Sequence, residues 1–265
     1  MKKYTVEIIG CGNKGCLADA PGSGNEAKYL SYAHACKEHP GFEIAGFIDI
    51  DKSKVEYAEK LWHCTKRIPD IWIISSPDNS HYGVLKEAAE HHPLMVICEK
   101  PLCETVEQAR EIVELYKTKG IPLMVDYTRR FIPYWKERQK ESQSAGKFLN
   151  GYCYYNRGAL HTLSHFCDLA LWFGADINKI HVQKMPTDTR WVFQWGLFYE
   201  NDFFSEHAVN FTKNPKVDSI YDMHLMHVMR NAYHFLEGTE QLFCTGQDAL
   251  NALEATYQIM GRNGK

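Results

Sequence analysis

The sequence predicts an α/β fold in which an N-terminal doubly wound parallel sheet precedes a C-terminal α+β domain with a mostly antiparallel open sheet. In the first half, short apolar segments alternate with segments of helical periodicity, which is typical of a parallel sheet covered on both faces. In the second half, longer segments alternate apolar and polar side chains, which is typical of an antiparallel sheet with one buried face. The 265 residues are enough for two modest domains, which we place at residues 1–126 and 127–265.

Five apolar segments in the first half are the predicted parallel strands. In chain order they are "YTVEIIGCG", "FEIAGFIDID", "DIWIISSP", "LMVICEKP" and "PLMVDY". The predicted helices between them are "NEAKYLSYAHACKEH", "KVEYAEKLW", "SHYGVLKEAAEHH" and "TVEQAREIVELYKTKG". Asn25 is the expected N-cap of the first helix, because its side chain can accept a hydrogen bond from a helical N–H. Pro21, Gly22 and Gly24 would break any helix that began earlier.

The second half contributes five predicted strands and two predicted helices. The strands are "KFLNGYCYYN", "INKIHVQKM", "RWVFQWGLFYE", "FFSEHAVNF" and "SIYDMHLMHVM", and the helices are "LHTLSHFCDLALWFG" and "GQDALNALEATYQIM". Asn201 and Asp202 have the composition of a hairpin turn. Trp191, Phe193 and Trp195 alternate along one strand, and a single-layer sheet would leave one aromatic face in water. We therefore expect a homodimer or homotetramer formed through this sheet.

Composition excludes several classes of protein. The chain is 45% hydrophobic and 24% charged with a formal net charge of −3, which is ordinary for a globular protein. It has no basic block, so we expect no nucleic-acid partner. Its apolar segments are too short to span a membrane, and the N-terminal one is too interrupted for a signal peptide. Nine cysteines, an odd number with no Cys-x-x-Cys pair, predict reduced thiols and a cytoplasmic location.

A glycine-rich turn directly follows the first predicted strand. Its sequence has the pattern G-x-G-x-x-G, formed by Gly10-Cys11-Gly12-Asn13-Lys14-Gly15. Glycines in this position permit a tight turn and let backbone N–H groups approach a pyrophosphate, as in the Rossmann fold. A plain tight turn is the alternative. The position within a βαβ unit favours dinucleotide binding.

Asp49 ends the second predicted strand, where a carboxylate would accept hydrogen bonds from the adenosine ribose. A 2′-phosphate would meet like charge there, so Asp49 favours NAD over NADP as the cofactor. Asp49 lies further from Gly15 than the usual interval of about 20 residues, because of the "DAPGSG" segment. Asp51 either shares the role or is a solvated surface residue.

The segment "RGALHTLSHFCD" contains His161, His165 and Asp168 at a spacing that places them on one face of a helix. Three interpretations are open: a metal site, an acid–base group, or the polar edge of a packed helix. Against a zinc site, no cysteine ligand joins the three residues, and the segment lacks the glutamate of the H-E-x-x-H motif. The spacing alone favours none of the three.

"ICEKPL", at the end of the fourth strand, is the most specific motif in the chain. Together with "IIGCGNKG", "FIDID", "SSPDNSHYGVLKEAAE" and "VDYTRRF", it resembles the Gfo/Idh/MocA oxidoreductases, the glucose–fructose oxidoreductase and inositol dehydrogenase family. The resemblance implies a Rossmann domain that binds NAD or NADP. It also implies hydride transfer between nicotinamide and a secondary alcohol or ketone of a sugar, sugar nucleotide or cyclic polyol. The alternative function is a non-catalytic dinucleotide-binding sensor or regulator of the same fold.

The resemblance also implies roles for individual residues. Lys100 matches the lysine that points at the reacting hydroxyl, and Pro101 would set its backbone. The cofactor would be lined by Ser76, Pro77, His81 and Glu99 in addition to Lys100.

In the second half, the resemblance makes His165 the acid–base group and Asp168 its support or a substrate contact. His161 stands where many relatives have aspartate, so it could share a hydrogen bond but lend no negative charge at neutral pH. Arg130, with Arg129, would bind an anionic substrate group or form interdomain salt bridges. His224 and His227 would face a substrate cleft or be packing residues.

Overall fold

A computed structural model describes residues 2–25, 28–186, 192–209 and 221–263. The chain forms two compact units, the first of Met1–Phe131 with Asp222–Gly246, and the second of Ile132–Tyr221 with Gln247–Lys265. The segment Asp222–Gly246 thus lies in the first unit, whereas the sequence pattern assigned everything from residue 127 onward to a second domain. The fifth strand explains the difference, because Val125 donates a backbone hydrogen bond to Cys244 and Met124 forms a β-bridge with Thr245.

The first unit is built on a five-stranded parallel sheet. Its strands are β1 (Tyr4–Ile9), β2 (Phe42–Ile48), β3 (Ile71–Ile74), β4 (Met95–Glu99) and β5 (Leu123–Asp126), in the order β2-β1-β3-β4-β5. Most of the strand residues are buried, as their apolar sequences predict. The parallel doubly wound sheet is therefore confirmed. Its strand order reverses between β1 and β3, and ligands of such sheets bind at the carboxyl ends of the strands near this point.

The described residues contain eight α-helices. They are α1 (Tyr32–Glu38), α2 (Lys52–Trp62), α3 (His81–Glu90), α4 (Val106–Lys119), α5 (Pro133–Ser142), α6 (Ser164–Trp172), α7 (His224–Leu236) and α8 (Gly246–Asn263). The boundaries of α4 follow from its sequence. Thr105 and Gln108 form a capping box at its start, and Gly120 ends it in the left-handed conformation with φ of 66°. Among these helices, none is long and apolar enough to cross a membrane.

The first helix starts later than predicted. Asn25 is not its N-cap, because Ser31 accepts a hydrogen bond from the backbone of His34 and starts α1. The buried Asp19 carboxylate holds the preceding loop, since it accepts hydrogen bonds from the backbone N–H groups of Leu30 and Ser31. A π-helical turn, Asn13–Leu17, begins within the glycine-rich turn, and α1 starts at Tyr32. The side chain of Asp19 thus fixes a loop where the sequence pattern predicted helix.

The predicted strand "SIYDMHLMHVM" is also wrong, because its described part leads into α7. Leu225, Val228, Met229 and Ala232 are fully buried and follow the spacing i, i+3, i+4, i+7 of a helical face. The alternation of methionine, histidine and leucine at the start of the segment resembled a strand because the window was too short to show the helical period. Its first two residues, 219 and 220, lie outside the described residues.

Within its described residues, the second unit contains a four-stranded sheet. Its strands are β6 (Phe148–Tyr155), β7 (Ile180–Lys184), β8 (Val192–Tyr199) and β9 (Phe203–Val209), in the order β7-β6-β8-β9. β8 pairs antiparallel with β6 and β9, while β6 and β7 are parallel, so the mostly antiparallel sheet is confirmed. The predicted Asn201–Asp202 hairpin turn is confirmed, since the Tyr199 N–H donates to the Asp202 carbonyl at 2.9 Å.

The two faces of this sheet differ in burial. The inner face contributes the fully buried Trp195 and Leu197 to a core that also includes Phe166 of α6 and Ile259 of α8. The other face carries half-buried aromatic residues. Phe198 stacks on Phe203 at 4.5 Å between ring centroids, and Phe203 is 42% exposed. Trp191, part of the predicted aromatic alternation, lies outside the described residues.

Candidate functional site

The glycine-rich turn closes tightly at two positions and is open at a third. A Cβ atom at Gly10, where φ is +95°, would lie 2.5 Å from the Ser76 nitrogen, and one at Gly15 would lie 1.9 Å from the Gly10 carbonyl oxygen. Both positions therefore require glycine. A Cβ atom at Gly12 would meet nothing within 4 Å. The backbone at Gly12 is open to a ligand, which suits the close approach of a pyrophosphate.

Asp49 lies beside this turn. Its carboxylate accepts a hydrogen bond from the Cys11 N–H at 2.8 Å through Oδ2 and one from the Asp51 N–H at 2.9 Å through Oδ1. Asp51 instead caps α2, where it accepts from the Ser53 N–H at 3.0 Å. The two acids therefore differ in role, since Asp49 is fixed next to the glycine-rich turn and Asp51 starts a helix.

The loop after β3 and the first residue of α3 supply three of the predicted cofactor residues. The Ser76 and Ser80 hydroxyls are 2.7 Å apart, and the Pro77 carbonyl accepts the Ser80 N–H at 2.9 Å. His81 is fully buried, with Nδ1 at 2.8 Å from the Pro101 carbonyl oxygen and Nε2 at 2.9 Å from that of Ser76. His81 thus links the loops at Ser76 and Pro101 through its ring, which makes it a positioning residue for both.

Lys100 directly follows β4, and the Lys100–Pro101 peptide bond is cis. The side chain is largely buried, and this burial lowers the pKa of its ammonium, although the negative charges of Glu99 and Asp78 oppose the effect. The ammonium form of this lysine would place a positive charge in a poorly hydrated position. Such a charge stabilises a developing negative charge more strongly than a solvated lysine would.

Charged side chains from four elements meet at the carboxyl ends of β4 and β5. Glu99 and Asp126 are register partners on these strands. The Lys14 Nζ lies 4.0 Å from Glu99 Oε1 and 2.9 Å from His224 Nε2, which in turn lies 3.9 Å from Asp126 Oδ2. The Tyr32 hydroxyl donates to Asp126 Oδ2 at 3.3 Å. We call Lys14, Glu99, Asp126 and His224 the strand-end cluster.

Burial dominates the electrostatics of this cluster. Asp126 is 1% exposed, and desolvation together with the nearby Glu99 raises its pKa to about 7, against the opposing effects of Lys14 and the Tyr32 hydrogen bond. Among the described residues, neither Glu99 Oε1 nor Asp126 Oδ1 has a hydrogen-bond partner, although both atoms are buried. The cluster therefore holds two acceptor atoms that receive no hydrogen bond from the described part of the chain.

The sequence identified only part of this cluster. Lys14 and Glu99 lie in motifs that predict cofactor binding, whereas the sequence predicts no role for Asp126 or Tyr32. The sequence is compatible with His224 as a cleft residue or as a packing residue. The structure places it against Lys14, while His227 on the same helix is half-buried. The available signal was an acidic residue that ends an apolar strand, since the ends of parallel strands meet at one sheet edge.

The predicted acid–base residues lie along one helical segment of the second unit. His161 is exposed in a π-helical turn, Ala159–Leu163, while His165 is half-buried in the first turn of α6 and Asp168 is buried one turn later. The Ser164 N–H bonds to the Ala159 carbonyl, five residues back, which joins the two turns. Within the described residues, no three His, Cys, Asp or Glu side chains are placed to hold a metal ion.

Arg130 lies in a 3₁₀ turn, Thr128–Phe131, after β5 and is buried together with Arg129. Its Nη1 donates to the Phe243 carbonyl at 3.3 Å, so one role of Arg130 is to hold the segment that precedes α8 within the first unit. Binding of an anionic substrate group by Arg130 stays a prediction.

Residues 22–127 match the sequence profile of the Gfo/Idh/MocA family, described as an oxidoreductase family with an NAD-binding Rossmann fold. Among known proteins, the uncharacterized oxidoreductase YrbE of Bacillus subtilis is 32% identical over 89 residues, which are 33% of this chain and 26% of YrbE. The chain thus aligns with about a quarter of that relative's length.

Solved structures extend the similarity in fold. The myo-inositol dehydrogenase of Corynebacterium glutamicum has a TM-score of 0.73 at 13% identity, over 99% of this chain and 98% of the other. The WlbA dehydrogenase of Bordetella pertussis, in complex with NADH and UDP-GlcNAcA, has a TM-score of 0.73 at 15% identity, over 100% of this chain and 97% of the other. At these identities the similarity shows the fold. The profile match adds that residues 22–127 are similar in sequence to the NAD-binding Rossmann domain of the Gfo/Idh/MocA oxidoreductase family.

Proposed function

We propose that this protein is an NAD-dependent dehydrogenase or reductase that acts on a CH–OH group of a sugar, sugar nucleotide or cyclic polyol. The observation that carries the proposal is the open backbone at Gly12, held at the switch point of a parallel sheet. Nearby strand ends carry the further groups that a dinucleotide needs. They include Asp49 after β2 and Glu99 Oε1, a buried acceptor that receives no hydrogen bond from the described residues.

The residues of the first unit fit a dinucleotide cofactor. The backbone of the Gly10–Gly15 turn would hold the pyrophosphate, and the Asp49 carboxylate would accept hydrogen bonds from the adenosine ribose. Because a carboxylate repels a 2′-phosphate, NAD is the proposed cofactor and NADP the less favoured one. Ser76 and Pro77 would line it, with their backbone fixed by His81.

When bound, the nicotinamide supplies the two-electron chemistry by accepting or donating a hydride. The Lys100 ammonium would polarise the reacting oxygen of the substrate and stabilise the negative charge that develops on it. His165 would take the hydroxyl proton during oxidation and return it during reduction. His161 would orient His165 by a hydrogen bond, and Asp168 would support it or contact the substrate.

The substrate class rests on the relatives. One similar structure is an inositol dehydrogenase and another was solved with a sugar nucleotide, which supports a substrate with several hydroxyl groups. We also propose that the protein forms a homodimer or homotetramer through the open sheet of the second unit. The half-buried aromatic face that includes Phe198 and Phe203 supports this, because it would be covered in such an assembly.

The test is a cofactor and substrate screen on the purified protein. NAD+ and NADH binding is measured by calorimetry, and NAD+ reduction by absorbance over a panel of inositols, sugars and nucleotide sugars. Turnover of at least one panel member, abolished by Lys100→Met, would support the proposal. Cofactor binding without turnover of any member would instead favour the dinucleotide sensor. Absence of cofactor binding would contradict both functions.

A further inference from the structure

Two buried carboxylate oxygens in the first unit lack a hydrogen-bond partner among the described residues. They are Oε1 of Glu99 and Oδ1 of Asp126, which belong to register partners on β4 and β5. A buried acceptor without a donor is destabilising, so native structures rarely keep one without a reason. Two such atoms side by side at the functional end of a sheet indicate a ligand that brings its own donors.

The position of these two oxygens in the sheet indicates which half of a bound dinucleotide would lie next to them. In the strand order β2-β1-β3-β4-β5, Asp49 follows β2 on one side of the glycine-rich turn, and Glu99 and Asp126 end strands on the other side. A dinucleotide bound across such a sheet has its pyrophosphate at the glycine-rich turn. If the adenosine half lies at Asp49, the nicotinamide half extends toward β4 and β5.

We propose that Asp126, acting with Glu99, is a further cofactor-binding residue whose unpartnered oxygen accepts a hydrogen bond from a hydroxyl or amide donor of the nicotinamide-nucleoside half. The inference rests on the proposed NAD-dependent function. Ionised carboxylates only accept hydrogen bonds. This half of the cofactor offers two kinds of donor, the ribose hydroxyls and the carboxamide nitrogen.

The surroundings of Asp126 orient it for this role. The Tyr32 hydroxyl occupies Oδ2 at 3.3 Å, which leaves Oδ1 as the atom available to a ligand. Lys14 donates to His224 Nε2, so a neutral His224 carries its ring proton on Nδ1. The imidazole edge nearest to Asp126 is then not a donor to it.

The charges that face Asp126 predict how binding depends on pH. Glu99 on β4 is the negative neighbour, while Lys14 of the glycine-rich turn and Lys100 after β4 are positive, and His224 approaches from α7. A ligand donor at Oδ1 stabilises the ionised carboxylate. NAD+ affinity should therefore rise with pH across the range near 7 in which the Asp126 carboxyl ionises.

The experiment compares three ligands that share the adenosine diphosphate part: NAD+, ADP-ribose and ADP. Each is titrated calorimetrically into the wild type, Asp126→Leu and Asp126→Asn. Asp126→Leu, which keeps the branched arrangement of heavy atoms but removes both oxygens, should weaken NAD+ binding about tenfold to a hundredfold, as expected for a charge-assisted hydrogen bond. The same variant should bind ADP with an affinity within about twofold of the wild-type value. If Asp126→Leu also weakens ADP-ribose binding, the donor to Asp126 is a ribose hydroxyl. If it weakens NAD+ binding alone, the donor is the carboxamide nitrogen.

Asp126→Asn keeps an acceptor oxygen and cannot titrate. It should bind NAD+ more tightly than Asp126→Leu and lose the pH dependence that the wild type shows between about pH 6 and about pH 8. The control is Asp70→Asn, because Asp70 bonds to Thr5 at the opposite end of the same sheet. This variant should not affect the binding of any of the three ligands.

Two results would overturn the inference. One is an equal loss for ADP and NAD+ in Asp126→Leu, which would mean that the variant only disturbs the fold. The other is wild-type NAD+ affinity in Asp126→Leu. If the leucine variant does not fold, the corresponding result is an NAD+ affinity of Asp126→Asn that depends on pH in the same way as that of the wild type. Failure of the wild type to bind NAD+ at all is a distinct result, which would contradict the proposed function and leave the carboxylate pair without its ligand.

Discussion

The stability of the protein without cofactor should fall as pH rises through neutrality, and Asp126 should be the cause. In the unfolded chain this carboxyl ionises at its ordinary pKa of 3.8, whereas desolvation raises its pKa to about 7 in the fold. Between these values the folded state binds a proton that the unfolded state does not. The corresponding stabilisation is fully present below pH 3.8 and is lost as pH rises through about 7.

The size of the effect follows from the two pKa values. A change from 3.8 to about 7 corresponds to roughly 4 kcal/mol, at about 1.4 kcal/mol per pH unit. Most of it, about 3 kcal/mol, lies between about pH 5 and about pH 8. Asp126→Asn carries a neutral amide at every pH. Relative to the wild type, this variant should gain about 3 kcal/mol of unfolding free energy over the same range.

The assay is urea unfolding of both proteins at several pH values without cofactor. Comparison at each pH cancels the groups that titrate alike in the two proteins. Tyr32→Phe is a matched variant, because it removes the hydrogen bond that favours the ionised Asp126 carboxylate. In this variant the loss of stability with rising pH should occur at higher pH, because the pKa of Asp126 in the folded state is raised further. A constant difference between Asp126→Asn and the wild type across the range would show that Asp126 does not titrate with a raised pKa, and would refute the reasoning.

The remaining predictions concern the cofactor, the acid–base group and the assembly. NAD+ should bind more tightly than NADP+, and Asp49→Ser should reduce this preference about tenfold in a calorimetric comparison; tighter NADP+ binding by the wild type would contradict it. His165→Ala should lower turnover roughly 10²- to 10⁴-fold with little change in NAD+ affinity, while His181→Ala, an exposed control on β7, should retain activity. His161→Asp should preserve or raise activity and shift the pH–rate profile; loss of activity would argue against its supporting role. Sedimentation equilibrium should give a multiple of 30.6 kDa that Phe203→Lys lowers, whereas a monomeric wild type would rule out assembly through the sheet.

The sheet of the first unit was predictable because each strand carries its own signal. Segments such as Ile71–Ile74 and Met95–Glu99 are apolar throughout, which fits only strands that are covered on both faces. The glycines at 10 and 15 were predictable for a similar reason, since the turn after β1 leaves no room for a side chain at either position. In these places local sequence and tertiary structure impose the same requirement.

Prediction failed where a distant contact decided the local structure. Asn25 had a good capping side chain, but the buried Asp19 carboxylate binds the backbone at Leu30 and Ser31 and delays the first helix. The start of α7 resembled a strand over a few residues, and only the longer pattern of buried positions shows the helix. Short-range patterns rank such alternatives poorly, because the deciding free energy comes from burial against other elements.

The strand-end cluster shows the same limit for the candidate site. Asp126 lies in "VDYTRRF", but this string by itself predicts no role for it. Its importance depends on β5 lying next to β4 and on the contacts that Tyr32 of α1 and His224 of α7 make there. Parallel strands present their carboxyl ends at one edge of the sheet, so this rule alone predicts that Asp126 lies near Glu99. The strand order and the contribution of His224 by α7 are known only from the structure. A carboxyl buried with one oxygen unpartnered weakens the fold unless something is gained in return. This cost is the reason to assign Asp126 to ligand binding rather than to packing. An apolar side chain of similar volume would pack at the same position without the free-energy cost of a buried acceptor that lacks a hydrogen bond.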